Sequence, residues 1–223
     1  MKLSSKQLLF TVLFAIVGFI TLQIPFTKLA GSNVSFTLFD FFGPIAGAFL
    51  GPLFGIVSVA AVELINFIVR GTTLTAGSVI RLFPMLFAVY YFATISKSKK
   101  NKPILFVPII AIVAFWLNPI GREVWYYALF WVIPIIAYFK RNSLLARSLG
   151  ATFTAHAVGG AAWIWAFNLP SSVWKGLIPV VITERILFAL GIAGSYIVMR
   201  YVLKFLIARK ILPRLESFPL AHS

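Results

Sequence analysis

The sequence contains no cysteine, which excludes disulfide bonds, thiolate metal sites and cysteine nucleophiles. Acidic residues are also scarce, because Asp and Glu number 5 against 20 Lys and Arg, for a formal net charge of +15. Asp40 is the one aspartate, which argues against a lipid transferase that holds metal ions on clustered aspartates. There is no Gly-x-x-x-x-Gly-Lys-Ser/Thr loop, so we expect no ATPase site in the chain.

Apolar residues are what the sequence has in excess. Hydrophobic residues make up 61% of the 223, the mean hydropathy is +0.97, and only 11% are charged, compared with about 25% in an ordinary soluble domain. A soluble protein of this size could not bury so much apolar surface, whereas a bilayer can cover it. We therefore predict one all-α transmembrane domain over residues 1–223, a polytopic helix bundle with a short polar C-terminal tail from about residue 209.

Eight apolar runs are separated by polar or proline-containing gaps, and a spanning helix needs roughly 20 apolar residues. The runs are about Leu8–Ile24, Phe36–Leu50, a third ending at Val69, Val79–Ile95, Ile104–Leu117, Val124–Phe139, Leu149–Phe167 and Leu177–Ile207. The first run is interpreted as a membrane helix, not a cleaved signal peptide. Because Gly51-Pro52 can mark either a kink or a hairpin, the prediction is six to eight helices.

The basic residues cluster in alternate gaps. Lys2 and Lys6, Lys97–Lys102, Lys140–Arg147 and Arg209–Arg214 all fall on one side of an eight-helix arrangement. The opposite gaps hold only Lys28, Arg70, Arg122 and Lys175. This asymmetry predicts a protein of the plasma membrane with both termini in the cytoplasm, and it argues against nucleic-acid binding.

Glycines recur at a spacing of four in the segment GPIAGAFLGPLFG, at Gly43, Gly47, Gly51 and Gly55. Residues four apart share a helix face, so the stripe predicts close approach of another backbone. Two interpretations stay open, namely tight packing inside the bundle and a docking surface for another membrane protein.

Charged and polar side chains inside apolar runs are candidates for contact with a solute. Glu63 precedes Asn66 and Arg70 on one helix face, so it can pair with Arg70 or Arg81, or it can bind a solute. Glu184 and Arg185 interrupt another run, and we expect each to find a separate partner, with His156–Glu184 as one such pair. The candidate site residues are Glu63, Asn66, Arg81, Asn118, Glu123, Trp125, His156, Trp163 and Glu184, with roles in hydrogen bonding and stacking.

The segment from Phe36 to Asn66 resembles the S components of energy-coupling factor vitamin transporters. In those proteins a loop follows the first helix, then a Gly-Pro-rich helix pair, then an acidic residue near the end of the next helix. Gly47, Gly51, Pro52 and Gly55 match this pattern, and Glu63 stands where an Asp is common. The nearest counterpart of the family's Ala-x-x-x-Ala docking motif is Ala15 with Gly18.

The resemblance implies capture of a vitamin-like molecule or another small organic solute from outside, with no enzymatic activity, cofactor or metal. It also implies a transmembrane coupling protein and separate ATP-binding subunits as partners. A secondary transporter or a structural membrane protein is the alternative. A third hypothesis, a rhomboid-like serine protease, would use Ser78 as nucleophile and His156 as base.

Overall fold

The computed structural model describes residues 5–28, 35–97 and 102–213, and these residues are mostly α-helical. The elements, in chain order, are α1 Ser5–Leu22, β1 Pro25–Lys28, β2 Ser35–Thr37, α2 Phe39–Phe42, a 3₁₀ turn Gly43–Ile45, α3 Ala46–Val69, α4 Ala76–Ile80, α5 Pro84–Lys97, a 3₁₀ turn Lys102–Leu105, α6 Phe106–Leu117, α7 Pro119–Glu123, a 3₁₀ segment Trp125–Val132, α8 Ile133–Phe139, α9 Leu144–Phe167 and α10 Ser171–Ala208. The all-α prediction is confirmed, with one exception. The short strands β1 and β2 pair antiparallel after the first helix.

Local chemistry sets several helix boundaries. The Thr75 side chain caps α4 by accepting from the Ser78 backbone N–H, and Ser143 caps α9 in the same way. Asn118 caps α7, where Pro119 occupies the first helical position. α9 ends at Asn168, whose φ of 37° is left-handed.

Gly51 reverses the chain within α3. Its φ of 81° and ψ of 173° are not helical and suit glycine, and Pro52 follows. Gly55 packs directly on the backbone of Ala46 and Gly47, whereas residues nine apart in a straight helix would be about 13 Å apart. Residues 39–50 and 52–69 therefore form two arms of a helical hairpin, the first arm and the second arm, which resolves the alternative that the sequence left open.

Contacts show that α1, the first arm and the second arm run in alternating directions. The Thr11 carbonyl accepts from Ser58, and Gln23 donates to Asn66, so α1 and the second arm are parallel. Gly18 instead meets Phe39 while Phe14 stacks on Phe42, so α1 and the first arm are antiparallel.

The remaining helices continue this alternation. Gly150 lies against Tyr91 and Gly159 against Pro84, so α5 and α9 are antiparallel. The Tyr196 ring of α10 stacks on Phe49, and Gly191 lies against Phe41, so α10 is parallel to the first arm. The start of α1, the Gly51 reversal, the end of α5, the turn at Lys140 and the end of α10 consequently lie at one end of the bundle, which we name the basic end. The β1–β2 hairpin lies at the opposite end.

Large apolar side chains cover much of the outer surface. Ile68, Leu74, Phe139 and Val198 are each more than 60% exposed, which a soluble monomer rarely tolerates over large areas. In the part of the chain that the structure describes, three helices are long and apolar enough to cross a membrane, Phe39–Val69, Ala76–Ile95 and Ser171–Ala208. Shorter apolar helices are Gln7–Leu22, Lys102–Leu117 and Trp125–Phe139. Six to eight spans stay a prediction.

The glycine stripe does not form one face. Gly43 lies against Met85 and Gly47 against the backbone of Val89, both in α5. Gly51 is the reversal itself, and Gly55 folds back onto Gly47. The expectation of a shared helix face is wrong, because the chain reverses at Gly51. Gly55 therefore does not continue the face that carries Gly43 and Gly47. All four glycines are buried inside this chain, as the packing interpretation requires.

The first helix also turns its small residues inward. Gly18 is buried against the Phe39 ring and Val62, and Ala15 packs at the edge of the same core. Of the other sequence predictions, those on Lys2, on the lysines between residues 98 and 101, on the loop 29–34 and on the tail beyond residue 213 lie outside the described residues.

Candidate functional site

Five charged side chains lie in the half of the bundle that carries the β1–β2 hairpin, linked by electrostatic interactions. They are Asp40, Glu63, Arg81, Glu184 and Arg185, and we name them the charged cluster. Asp40 lies within electrostatic range of both arginines, Glu63 within range of Arg81 and Asp40, and Glu184 within range of Arg185 and Asp40. They come from α2, α3, α10 and the break after α4, so the fold, not the sequence, brings them together.

Arg185 is the most deeply placed member of the charged cluster. It is 7% exposed and lies about 21 Å along α10 from Ser171. Its guanidinium lies 4.4 Å from the centroid of the Phe188 ring and 5.5 Å from that of Phe36 in β2. One terminal nitrogen donates to the Thr152 hydroxyl at 3.3 Å. The Nε–H is buried and has no hydrogen-bond partner among the described residues.

Glu184 contacts its own sequence neighbour. The second terminal nitrogen of Arg185 lies 3.5 Å from Glu184 Oε2. The expectation that each would find a separate partner is wrong for this pair, because the long arginine side chain folds back to the adjacent carboxylate. A distance of 3.5 Å is long for a charge-assisted hydrogen bond, so Arg185 retains unused donor capacity.

Asp40 and Arg81 are further members of the charged cluster, in the half of the bundle that carries the β1–β2 hairpin. Asp40 accepts from the Thr37 backbone N–H at 2.8 Å, which fixes the carboxylate at the start of α2. Arg81 follows α4 at the break before α5 and is exposed, and Glu63 on the second arm is half-buried. In the described part of the chain neither forms an ion pair within 4 Å, so Glu63 pairs with neither Arg70 nor Arg81 at close range.

His156 bonds aromatic residues on both ring nitrogens. Trp131 donates its indole N–H to Nδ1 at 3.0 Å, and the Tyr127 hydroxyl lies 3.1 Å from Nε2. An indole N–H can only donate, so Nδ1 accepts, and the geometry requires a neutral ring with its proton on Nε2. The expected His156–Glu184 pair is therefore wrong, because Trp131 and Tyr127 already occupy both nitrogens.

Tyr127 links His156 to the charged cluster. Since Nε2–H donates to its oxygen, the Tyr127 hydroxyl proton is free to donate elsewhere. The Tyr127 ring packs on Trp174, with centroids 5.0 Å apart, and it lies within electrostatic range of Arg185. Trp174 Nε1 is buried without a partner among the described residues. Tyr127 and Trp174 thus each have a donor with capacity for an acceptor, and Trp174 lies 11 residues, about 16 Å, along α10 from Arg185.

Several predicted site residues are used elsewhere. Asn66 accepts from Gln23, which also accepts from Arg70, in a bridge between α1 and the second arm. Asn118 is buried, caps α7 and donates to the Ile164 carbonyl. Glu123, Trp125 and Trp163 lie toward the end of the bundle that carries the β1–β2 hairpin. Glu123 and Trp125 are exposed, and Trp163 packs on Phe167 and Gly77.

Ser78 and His156 do not form a catalytic pair. The Ser78 hydroxyl donates to the Thr73 carbonyl and completes the cap of α4. Its neighbour Gly77 lies against Trp163 and Phe167, at least seven residues along α9 from His156. Both nitrogens of His156 are occupied, so the arrangement offers no base for this serine.

Residues that the sequence analysis left out of the site are central to it. They are Phe36, Asp40, Tyr127, Trp131, Thr152, Trp174, Arg185 and Phe188. Arg185 carried a usable signal, since an arginine within an apolar run is itself a functional candidate. Among the described residues, no three His, Asp or Glu side chains are grouped closely enough to hold a metal ion.

Comparison with known proteins gives one distant relative. The chain is 25% identical over 213 residues to an uncharacterized protein of Methanocaldococcus jannaschii, and the match covers 87% of this chain and 70% of that protein. No protein-family model matches the chain, and no solved structure matches it.

Proposed function

We propose that the chain is a polytopic integral membrane protein whose alternating helical segments cross the bilayer. Support comes from the three long apolar helices and from the large apolar side chains on the outer surface. Lys102, Lys140 and Arg209 lie at the basic end, where the positive-inside rule expects the cytoplasm. Both termini are then cytoplasmic, and the β1–β2 hairpin faces outside.

The protein binds a small organic solute at the charged cluster, in the outer half of the bundle. The observation that carries this proposal is Arg185, an arginine 7% exposed within the bundle, with a buried Nε–H that has no partner among the described residues. Leaving a buried charged donor unpaired is costly. A solute that supplies an acceptor, such as a carboxylate or carbonyl oxygen, removes that cost, and the Phe36 and Phe188 rings hold the guanidinium in place.

The S-component resemblance extends this proposal to uptake. The chain has a loop with a hairpin after its first helix, followed by a Gly-Pro reversal, at the positions where the resemblance was noted. In this proposal the chain captures a vitamin-like solute from outside, and separate ATP-binding subunits act through a transmembrane coupling protein. Ala15 and Gly18 face the core of this chain, so docking would use another surface.

The test is the thermal stability of the detergent-purified protein against a panel of vitamins and other small organic acids. A ligand at about 100 times its dissociation constant stabilises the fold by roughly 2.7 kcal/mol. We expect at least one acceptor-bearing compound to raise the unfolding temperature. We expect Arg185→Gln to abolish that shift, since glutamine cannot replace the guanidinium.

The control is Arg122→Gln, at an exposed position at the same end of the bundle. It should keep the wild-type response. A panel that leaves a well-folded protein unshifted, or an Arg185→Gln variant that responds like wild type, contradicts the proposal and favours a secondary transporter or a structural protein.

A further inference from the structure

A second group of cations lies far from the charged cluster, at the basic end between α9 and α10. Arg147 is the fourth residue of α9 and is half-buried. Its guanidinium lies 5.5 Å from the ring centroids of both Phe92 and Tyr196. Its Nε–H is buried and has no partner among the described residues.

α10 carries two more cations beyond Tyr196, the residue that Arg147 contacts. Arg200 and Lys204 follow Tyr196 at spacings of four and eight, which places all three on one helix face. Both cations are half-buried, and neither forms a hydrogen bond or ion pair with the described residues. We name Arg147, Arg200 and Lys204 the basic groove.

No carboxylate neutralises the basic groove within the described residues. Asp40, Glu63 and Glu184 belong to the charged cluster, and Glu123 ends α7 at the hairpin end. The fifth acidic residue, Glu216, lies outside the described residues. Three half-buried cations without a counter-charge repel one another in an apolar setting, so an anion from outside the chain would stabilise them.

The surroundings select the kind of anion. Leu145 on α9 and Tyr201 and Phe205 on α10 are exposed apolar side chains next to the basic groove. Arg147 lies only about 5 Å along its helix from the basic end, a depth typical of lipid headgroups. We propose that the basic groove binds a phosphate group, that of an anionic phospholipid whose acyl chains lie against these apolar side chains.

This proposal rests on the membrane placement in the proposed function and not on solute binding. The probes are phosphatidylglycerol and phosphatidylcholine with identical acyl chains, titrated into the delipidated full-length protein in detergent and followed by native mass spectrometry. We expect phosphatidylglycerol to bind selectively. We expect Arg147→Gln with Arg200→Gln to weaken its binding roughly 30-fold, since each cation contributes about fivefold.

Two variants make the result decisive. Lys175→Gln removes an exposed cation at the opposite end of α10 and should keep wild-type selectivity. Lys204→Gln alone should weaken phosphatidylglycerol binding about fivefold if the double variant does not fold. Selectivity unchanged in the groove variants would overturn the proposal.

Further measurements distinguish the phosphate of a lipid from other anions. Inorganic phosphate that binds at the groove and displaces phosphatidylglycerol at equal concentration would overturn the lipid assignment in favour of a free phosphate. Equal affinity for both lipids would overturn it, because the basic groove would then not select an anionic headgroup. A chain that stays soluble and folded without detergent would instead refute the membrane placement itself.

Discussion

Glu184 and Arg185 are adjacent in sequence, yet only the arginine is fully buried. The buried residues of α10 include Val181, Arg185, Phe188, Ile192 and Tyr196, which recur at helical spacing. Arg185 is in phase with this apolar stripe and Glu184 is not. The helical spacing therefore predicts that Arg185 faces the core. A single sequence does not show which other helices pack against Arg185. The contacts of Arg185 with Thr152 and Phe36 depend on tertiary packing.

His156 illustrates the same limit. A single buried histidine in an apolar run is recognisable from the sequence, but its partners are not. Trp131 and Tyr127 lie 25 and 29 residues earlier, in a 3₁₀ segment whose side-chain directions differ from those of an α-helix. The predicted partner, Glu184, was chosen by charge, whereas the fold supplies neutral partners.

The Trp131–His156 hydrogen bond leads to a prediction at this scale. Trp131→Phe keeps an aromatic ring but removes the donor, so His156 Nδ1 is left without its partner. The cost is about 1–3 kcal/mol for the unsatisfied acceptor, read as a lower unfolding free energy in detergent. Trp116→Phe is the control, because that indole donates to the Trp125 carbonyl at an exposed position and should cost less than about 1 kcal/mol. Equal losses in the two variants would contradict this assignment.

Among the elements, the hairpin within α3 could be predicted from the sequence only in part. A break at Gly51-Pro52 follows from the chemistry of the two residues, since proline cannot donate and disfavours helix in the residue before it. Whether the chain kinks or reverses depends on ψ of Gly51 and on the packing of Gly55 over Gly47. Neither is encoded locally, so the spacing of four was misinterpreted as one continuous face.

Gly51→Ala tests the reversal. Nothing lies within 4 Å of the position where its Cβ would be, but the φ of 81° is unfavourable for a side chain. We expect a loss of about 1–3 kcal/mol from backbone strain alone. Gly194→Ala also points a Cβ into open space but lies within α10, so it should be neutral or stabilising by up to about 1 kcal/mol. An Ala at position 51 that costs nothing would argue against the reversed conformation.

Gly47→Ala tests the contact between the first arm and α5. Its Cβ would collide with the Val89 carbonyl and crowd Ala93, and backbone cannot move aside cheaply. Overpacking of this kind costs about 1–3 kcal/mol or more. The matched control is Gly176→Ala, an α10 position with open space around the new Cβ. Similar stability of both variants, measured by thermal unfolding, would contradict the close approach.

For the whole molecule, the apolar runs and the basic gaps were sufficient to predict the class of fold. Composition alone indicated a helical bundle, and the alternating directions agree with the charge asymmetry. What the sequence could not supply is the pairing of helices. α5 packs most extensively on α9, about 60 residues later in the chain, and on the first arm. These contacts depend on small residues that match in space, not in sequence.

The absence of cysteine makes the orientation directly measurable. Single substitutions Thr72→Cys and Asn142→Cys place thiols at exposed turns at opposite ends of the bundle. In intact cells, a membrane-impermeant maleimide should label Thr72→Cys and leave Asn142→Cys unlabelled until the membrane is permeabilised. Labelling of both without permeabilisation, or the reverse pattern, would contradict cytoplasmic termini. The cysteine-free wild type is the background control.

α10 has a length of 38 residues, about 57 Å, which no bilayer matches. The distance between two of its cations, however, matches the thickness of a bilayer with its headgroups. Lys175 and Lys204 are 29 residues apart, about 43 Å along the axis, and a bilayer with its headgroups measures about 40–45 Å. If α10 spans a bilayer as proposed, these two cations would lie in opposite headgroup layers. In the proposed membrane placement, the thickness of the host membrane would therefore set the depth at which this helix lies.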